Sequence, residues 1–474
     1  MQTVIVGNGI LAMTIAFRLV KRSKAIDSVV VIGKSAREGS ATLAAPAMLN
    51  SFAEVEKGSL ETDIDLYRFE LSRQATAAWP AFEREVNETA FPERHIKMEG
   101  FTSGTYVINN TAADDLDDES FDAIVEALKR YDEKFSFVSP KDIPNYMPEQ
   151  RHRATRALYI DNEGWVNPIY LIKKLEIALS RYSNVKFVDE SALKLNHLNG
   201  QISSVQLADG STISGDNFVL ATGATTTDLL KASELDINVQ RVFYGVGVSL
   251  EIKSQGFPHQ NCVRTPNRGL ACGLYTAPYV TSESDPKDHV IIGASNFISP
   301  TPYNHGRLSS VEGLMQGAIQ QINSNFYKAD FVRINVGWRP TSQDTYPLLG
   351  HTSISNLILA TGTKREGFHL SPIISEKIVS LLFNETVEKE FGMFNPERNV
   401  IKNLTREEAI SKAVRHQVSA AYQHGFNPSK SRMPEQIKQM YRDNIEKLHD
   451  QVGAKDWGIP PEMLDMYKYG HAVV

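Results

Sequence analysis

The chain has 474 residues and a formal net charge of −6, with 42% hydrophobic and 22% charged residues. This length favours about two or three globular domains, and the composition is ordinary for such a protein. Because the net charge is small and no basic run occurs, we expect neither a nucleic-acid partner nor binding to an anionic membrane surface.

The two cysteines, Cys262 and Cys272, are too few for a disulfide framework. Ordinary thiols in a reducing compartment are the simpler interpretation. No uninterrupted apolar run is long enough to cross a membrane, and the apolar N-terminus lacks the charged start of a signal peptide. We therefore expect a cytoplasmic protein without a membrane span.

The stretch from Thr3 to Ala12, TVIVGNGILA, predicts a strand, a tight turn and the start of a helix. In such a GxGxxA turn, Gly7 permits the turn, Gly9 lets the backbone approach a pyrophosphate, and Ala12 lets the helix pack closely on the strand. A second predicted strand, Ser28 to Ile32, completes a βαβ unit. This context favours a dinucleotide site, with phosphates at the helix N-terminus, over an ordinary glycine turn.

The residue after the second strand departs from the usual nucleotide-binding pattern. That position normally carries Asp or Glu, whose carboxylate accepts hydrogen bonds from the ribose hydroxyls. Here it holds Gly33, followed by Lys34. Lys34 or Ser35 must therefore take the place of the carboxylate, or nucleotide binding is weakened. A lysine at this point can also indicate a cofactor with a 2′-phosphate.

Three further segments indicate how the chain returns to the nucleotide site. Residues 38–49 are small and weakly polar, so they form either a loop against a flat ligand or a simple helix-packing loop. Asn167-Pro168 predicts a helix start, with Asn as N-cap and Pro in the first turn. Residues 217–224 predict a buried strand that ends near a glycine and rejoins the nucleotide fold.

Alternating apolar residues in the middle of the chain predict an antiparallel sheet, at residues 240–252, 271–279 and 289–294. A single helix is predicted over residues 309–326. Residues 356–372 then have the pattern of a strand, a glycine-rich turn and a helix.

Beyond Asn384 the chain predicts short helices and loops. Thr405 to Glu408 have the sequence of a capping box, and residues 434–452 predict an amphipathic helix. The apolar face of this extension must cover either the body of its own subunit or a partner subunit. A homodimer formed through these helices is therefore one of two alternatives.

Four separated stretches share their order with one family: GNGILA at residues 7–12, AAPAML at 44–49, GWVNP at 164–168, and a closing region with GWRP at 337–340 and LILATGTKREGFHLSP at 357–372. Together they resemble the D-amino-acid oxidase superfamily of FAD-dependent oxidoreductases, most of all its glycine oxidase and sarcosine oxidase members. The resemblance covers about residues 1–385.

The resemblance implies an α/β protein with three parts. A Rossmann-like FAD-binding domain would comprise residues 1–50, 155–235 and 330–385. A substrate domain with a mixed or antiparallel sheet would comprise residues 51–154 and 236–329. A C-terminal helical extension would occupy residues 386–474.

Carried over position by position, the resemblance also implies a set of FAD contacts. The expected residues are Gly7, Gly9, Ile10, Leu11, Ala12, Lys34, Thr42, Leu43, Ala44, Ala45, Met48, Ala192, Thr222, Gly223, Gly337, Arg339, Gly362, Lys364, Arg365, Glu366, Gly367 and Phe368. Two positions depart from the family, since Gly33 replaces the ribose carboxylate and Pro46-Ala47 stands where Ala-Gly is usual. Cys272 lies earlier than the cysteine to which sarcosine oxidases attach flavin, so we expect non-covalent FAD.

In this family the flavin accepts hydride from the carbon next to nitrogen, and the protein mainly orients the substrate. Arg339 and Arg365 occupy positions where relatives place substrate-binding arginines, whose planar fork matches a carboxylate. Tyr244 is the candidate for an added hydroxyl, and all three can instead have structural roles. His351 and His369 are weaker candidates for substrate binding.

The predicted function is oxidation of the C–N bond of an amino acid or secondary amine to an imine, with O2 as the expected acceptor. One alternative is a flavin monooxygenase, although ATGTKREG replaces the usual late Gly-Asp motif. Another is a flavoprotein subunit or scaffold that acts with a partner protein. His416 and His424 have no further ligand nearby, so no metal site is predicted.

Overall fold

The computed structural model describes residues 1–22, 28–93, 101–110, 112, 115–257, 260–279, 288–423, 425–426 and 431–473. His424 lies outside these residues. In the described part of the chain, no helix is long and apolar enough to cross a membrane.

The strands are numbered in chain order: β1 (Gln2–Val6), β2 (Ser28–Ile32), β3 (Met48–Leu49), β4 (Phe101–Asn109), β5 (Phe135–Phe137), β6 (Arg156–Val166), β7 (Val185–Val188), β8 (Ala192–Leu198), β9 (Gln201–Leu207), β10 (Thr212–Ser214), β11 (Asn217–Leu220), β12 (Val242–Lys253), β13 (Cys262–Arg264), β14 (Tyr275–Pro278), β15 (His289–Gly293), β16 (Phe297–Ser299), β17 (Asp330–Ser342), β18 (Leu348–His351) and β19 (Leu357–Thr361). The α-helices are α1 (Ile10–Arg22), α2 (Ala41–Ala44), α3 (Asp63–Ala90), α4 (Asp115–Arg130), α5 (Pro168–Ser180), α6 (Thr226–Ala232), α7 (Leu308–Gly317), α8 (Ser371–Leu382), α9 (Arg406–Gln423), α10 (Met433–Val452) and α11 (Leu464–Lys468).

The N-terminal strand lies inside a six-stranded sheet with the order β18-β19-β11-β1-β2-β7. Its strands are parallel except β18, which pairs antiparallel with β19. Ile5 and Val31 pack on a layer formed by α1, α3, α5 and α8. Val4 and Val30 pack on the other side, against the small sheet β10-β9-β8. Burial of both faces explains why these strands are runs of β-branched residues.

A second, ten-stranded sheet has the order β16-β12-β15-β14-β13-β4-β6-β3, with β17 paired to β12 and β5 to β6. The pairing is antiparallel except for β13 and β4, which are parallel, so the sheet is mixed. The pairing of β12 with β17 runs from Val242 opposite Ser342 to Lys253 opposite Asp330. The predicted fold class, a Rossmann-like unit with a mixed-sheet domain and a helical extension, is confirmed.

The predicted domain segments contribute to more than one layer. Strands β3, β6 and β17 lie within the predicted nucleotide-domain segments 1–50, 155–235 and 330–385 and pair in the ten-stranded sheet. Helix α3 lies within the predicted substrate-domain segment 51–154. It buries Trp79 and Phe82 in the core that α1 and α8 share, because its apolar face points to the six-stranded sheet.

The C-terminal extension, residues 386–473, packs on its own chain. Ile410, Ile445 and Met463 form one apolar core with Phe243 of β12. The capping box is confirmed, since the Thr405 amide donates to the Glu408 carboxylate at 2.8 Å and the Glu408 amide donates to the Thr405 hydroxyl at 3.3 Å. The first half of α10 remains more exposed than its second half, and a homodimer through these helices stays a prediction.

Candidate functional site

A cavity of about 840 Å³ lies where the carboxyl ends of the parallel strands meet the ten-stranded sheet. Segments that follow β1, β2, β7, β11 and β19 form one side, and β12, β14 and β17 form the other. The carboxyl ends of an open parallel sheet are the usual place for a ligand in such folds. Three of the four stretches that carry the resemblance contribute to its lining, at residues 7–11, 44–48 and 337–369, whereas residues 164–168 do not.

Most of the predicted site residues line this cavity. They are Gly7, Gly9, Ile10, Leu11, Lys34, Thr42, Ala44, Ala45, Met48, Ala192, Thr222, Gly223, Tyr244, Gly337, Arg339, Lys364, Arg365, Glu366, Gly367 and Phe368. Three others lie behind its wall. Ala12 is fully buried in α1, Leu43 packs against the helical core, and Gly362 makes a turn with φ +72° beside the backbone of Leu348.

The corner at the start of α1 fits a dinucleotide phosphate. Gly7 has φ +118°, and a Cβ there would clash with the carbonyl group of Ala221 at the end of β11. A Cβ on Gly9 would meet the Thr42 hydroxyl at 3.3 Å, and that hydroxyl accepts a hydrogen bond from the Ile10 amide at 3.0 Å. Thr42 thus ties the small-residue loop to the helix N-terminus, where backbone amides favour an anion.

The loop of small residues has an unusual backbone at Ala47. Its φ is +52°, in the left-handed region that favours glycine. This is the position where the family usually has glycine, so the departure noted in the sequence places a strained residue beside the cavity.

The position expected to face the ribose has no space for a side chain at residue 33. A Cβ on Gly33 would lie 2.6 Å from Cγ of Asn8, whose side-chain amide donates to the Lys34 carbonyl at 2.8 Å. Lys34 Nζ lies 2.9 Å from a carboxylate oxygen of Glu190, and Glu190 lines the cavity. Sequence analysis did not single out Glu190, which lies two residues before the predicted FAD contact Ala192.

Arg339 on β17 brings a cation to the cavity wall. Its Nη1 donates to the Ser295 carbonyl at 3.0 Å and to the Asn296 side chain at 3.2 Å. A Cβ on Gly247 would overlap the guanidinium, so the arginine lies directly over the backbone of β12. Within the described residues no carboxylate pairs with Arg339, so its positive charge is available to a ligand.

Arg365 differs because two carboxylates neutralise it. Its Nε lies 3.7 Å from Glu54 and its Nη2 lies 3.7 Å from Glu56. Burial disfavours the charged form, but these carboxylates raise the pKa of Arg365 well above its usual value. In return, Arg264 and Arg365 overcome the opposing effect of burial and lower the pKa of Glu54 to about 2. Sequence analysis missed both glutamates, since no motif marks them.

The tyrosines also differ from expectation. Tyr244 lines the cavity, but its hydroxyl donates to Asp228, and burial together with Asp228 raises its pKa. Tyr275 on β14, which sequence analysis did not single out, also lines the cavity, and burial raises its pKa. Gly293 leaves room for the Tyr275 ring, since a Cβ there would overlap it. Both tyrosines therefore stay neutral.

Of the histidine candidates, His369 lines the cavity and His351 does not. His369 Nε2 lies 2.9 Å from the Thr76 hydroxyl, and burial lowers the pKa of His369 to about 4. His351 is exposed at the end of β18. Across the described residues, no group of three His, Cys, Asp or Glu side chains is arranged to hold a metal ion.

Comparison with known proteins gives one family. The model of the family described as FAD dependent oxidoreductase matches residues 2–381. Among curated relatives, the bifunctional protein ThiO/ThiG of Trichormus variabilis is 26% identical over 230 residues, which are 48% of this chain and 31% of that protein. The match therefore spans less than a third of that relative's length.

Solved structures share the fold at low sequence identity. The glycine oxidase from Geobacillus kaustophilus is 20% identical, with a TM-score of 0.68 over 84% of this chain and 99% of its own. The iminodiacetate oxidase from a Chelativorans species is 17% identical, with a TM-score of 0.67 over 84% of this chain and 100% of its own. At these identities the likeness shows the fold alone.

Proposed function

Because the chain belongs to the family of FAD-dependent oxidoreductases, we propose that it oxidises the C–N bond of a carboxylate-bearing amine, an amino acid or an N-substituted one, to an imine. FAD is the cofactor, bound non-covalently as predicted. When bound, FAD accepts the hydride from the carbon next to nitrogen. The side chains of this protein bind and orient the substrate.

The observation that carries the substrate class is the state of Arg339. It lies at the cavity wall without a carboxylate partner in the described part of the chain, whereas Arg365 is neutralised by Glu54 and Glu56. An arginine presents two parallel N–H donors that match a carboxylate. A substrate carboxylate at Arg339 would pair with a cation that no carboxylate among the described residues neutralises.

Other lining residues support the same orientation. Tyr275 keeps its proton because burial raises its pKa, so its hydroxyl can donate a hydrogen bond to a substrate. Relatives of similar fold are named for glycine and iminodiacetate, which each combine an amine with a carboxylate. This agreement favours the amino-acid class over simple amines.

The remaining contacts with FAD are assigned on the same basis. Amides at the start of α1 would face the pyrophosphate, and the turn from Lys364 to Phe368 would face the ring system. With Gly33 unable to supply a carboxylate, Glu190 paired to Lys34 would accept hydrogen bonds from the adenosine ribose. These assignments, together with O2 as acceptor and a cytoplasmic location, stay predictions.

The test is anaerobic reduction of the purified yellow holoenzyme. Amino acids and N-substituted amino acids are added singly, and loss of the flavin absorption band is recorded. Bleaching by a member of this panel supports the proposal. A flavin that no such compound bleaches, but that a nicotinamide cofactor reduces, contradicts it and favours a monooxygenase.

A further inference from the structure

The C-terminal extension, which lies beyond the part matched by the family, reaches the cavity at the Lys364–Arg365 pair. Glu462 is in a short 3-10 turn, Pro461–Met463, just before α11. Its Oε1 lies 2.7 Å from Nζ of Lys364. Lys364 and Arg365 both line the cavity. A side chain from the extension thus contacts the cavity wall directly.

A second contact from the extension reaches the same place. The ring of His416 on α9 lies against Gly269, where a Cβ would overlap it. Its Nε2 is 3.8 Å from Oε2 of Glu56, and Oε1 of Glu56 is 3.7 Å from Arg365. Two elements of the extension therefore approach one pair of cations, Lys364 directly and Arg365 through Glu56.

The extension adds charged groups of both signs to this end of the cavity. Arg264, Lys364 and Arg365 lie in ion pairs with Glu54, Glu56 and Glu462. Lys412 of α9 is a further cation that acts on Glu56. Although burial opposes ionisation, Lys364 and Arg365 lower the pKa of Glu462 to about 2. Loss of the Glu462 charge would make the net charge beside the cavity more positive by one unit.

The backbone at Lys364 also needs support. Its φ is +52°, a conformation that a residue with a side chain adopts at a cost. Its amide donates to the Pro340 carbonyl at 2.7 Å, and its side chain is held by Glu462. The two contacts fix Lys364 from both ends, so the ion pair restricts the loop that forms the wall.

We propose that Glu462 is a positioning residue, which holds the Lys364–Arg365 pair and sets the charge that this pair presents to bound FAD and substrate. The extension is then part of the active site. The proposal rests on the proposed function only in the measurements of KM and kcat/KM, because these need a substrate. The midpoint potential of bound FAD depends on the charge at the cavity without any substrate.

The test compares two variants of the full-length holoenzyme. Glu462→Gln keeps the size of the side chain and removes its charge. Glu407→Gln is the control, because it breaks an exposed ion pair with Arg442 within the extension, away from the cavity. For Glu462→Gln we expect a positive shift in the midpoint potential of bound FAD, since an uncompensated cation stabilises added electrons. We also expect a loss of about tenfold in kcat/KM, the size of one charged hydrogen bond. The control should show neither change.

A double variant separates charge from position. Lys364→Gln combined with Glu462→Gln restores the net charge of the wild type, so the midpoint potential should return towards that of the wild type while KM stays altered. If Glu462→Gln does not retain FAD, Glu462→Asp is measured in the same way, and its shorter carboxylate should change KM with little effect on the potential.

The proposal is overturned if the wild type and the variant that folds have the same potential, absorption spectrum and KM. Failure of the proposed function is distinct: no amine then reduces the enzyme, but the potential and spectrum of Glu462→Gln still report on the charge at Lys364.

Discussion

Two arginines border the same cavity, and their partners decide what each can do. Arg365 is held by Glu54 and Glu56, so a substrate carboxylate there would meet two like charges. Arg339 donates only to neutral acceptors among the described residues. The sequence motifs identify both arginines as candidates for substrate binding. They do not separate the two roles, because Glu54 and Glu56 lie in a segment without a motif.

Replacing Arg339 with Leu should therefore weaken substrate binding strongly. We expect a loss of about 2–5 kcal/mol, the cost of removing one partner of a buried charged pair. Steady-state KM and the affinity for a non-oxidised carboxylate analogue measure it. Arg333→Leu is the control on the same strand, since Arg333 pairs with Glu251 and does not line the cavity. Equal affinity of Arg339→Leu and the wild type would refute the assignment.

Glu190 is the second residue with a proposed role, as an acceptor for the ribose hydroxyls of FAD. Replacing it with Gln should weaken FAD binding by about tenfold, because a charged acceptor for the ribose hydroxyls becomes neutral. Titration of the apoprotein with FAD, followed by flavin fluorescence, measures the change. Glu85→Gln is the control, since Glu85 also pairs with a lysine, Lys21, but does not line the cavity. If Glu190→Gln binds FAD with unchanged affinity, Glu190 does not bind the ribose.

Among the elements, the pairing of β12 with β17 is what places Arg339. Two glycines, Gly247 and Gly337, lie opposite each other in this pairing. Without a side chain at Gly247, the guanidinium can cross the strand and reach the cavity. Alternation in the sequence predicted β12, but it predicted neither β17 nor the pairing of the two strands along their full length.

Gly247→Ala should therefore displace the arginine without unfolding the sheet. A Cβ there would overlap the guanidinium, so we expect KM to rise, by less than for Arg339→Leu, with a similar melting temperature. Gly392→Ala serves as control, since a Cβ at Gly392 meets nothing within 4 Å. A KM for Gly247→Ala that matches the control would show that the arginine reaches substrate by another path.

The sequence predicted a helix start correctly where both hydrogen-bonding partners lie in one turn. It was less successful for the end of a helix, which depends on contacts with other parts of the chain. The N-cap at Asn167 is confirmed, with its side chain accepting from the Tyr170 amide at 3.0 Å. The single helix predicted over 309–326 was wrong: α7 ends at Gly317, a π-helical turn follows, and Asn323 caps a separate 3-10 turn. The apolar pattern continues across these breaks, so hydrophobic periodicity alone did not reveal them.

Two buried histidines make the stability of the folded protein depend on pH. Burial lowers the pKa of His416 and of His369 to about 4. Both are neutral in the folded protein near pH 6, whereas the unfolded chain takes up protons below its ordinary value of 6.5. Stability is therefore lost as the pH falls from 6.5 towards 4. Glu163 acts oppositely, since burial raises its pKa to about 7.

His416→Gln isolates one histidine, because the contributions of Glu163 and His369 are common to both proteins. The difference in melting temperature between pH 6.5 and pH 4.5 should be smaller for this variant than for the wild type. Thermal unfolding of the holoenzyme at the two pH values measures it. The same decrease in both proteins would mean that His416 does not resist protonation.

The sequence was sufficient to predict a dinucleotide-binding βαβ unit, because β-branched runs and glycine turns act locally. The resemblance to a known family was needed to identify FAD as the cofactor. It did not reveal Glu190, Tyr275, Glu54 or Glu462. Glu462 contacts Lys364 across 98 residues of sequence, and only the packing of the extension brings them together.

The most direct test of whether Arg339 binds the substrate carboxylate is a matched pair of substrates. Each amino acid that bleaches the flavin under anaerobic conditions is compared with the amine that lacks its carboxylate, and the rate of reduction is recorded at increasing concentration. We predict fast, saturable reduction by the amino acid and slow reduction by the amine, with the difference lost in Arg339→Leu. Equal rates for the two compounds in the wild-type enzyme would contradict the account.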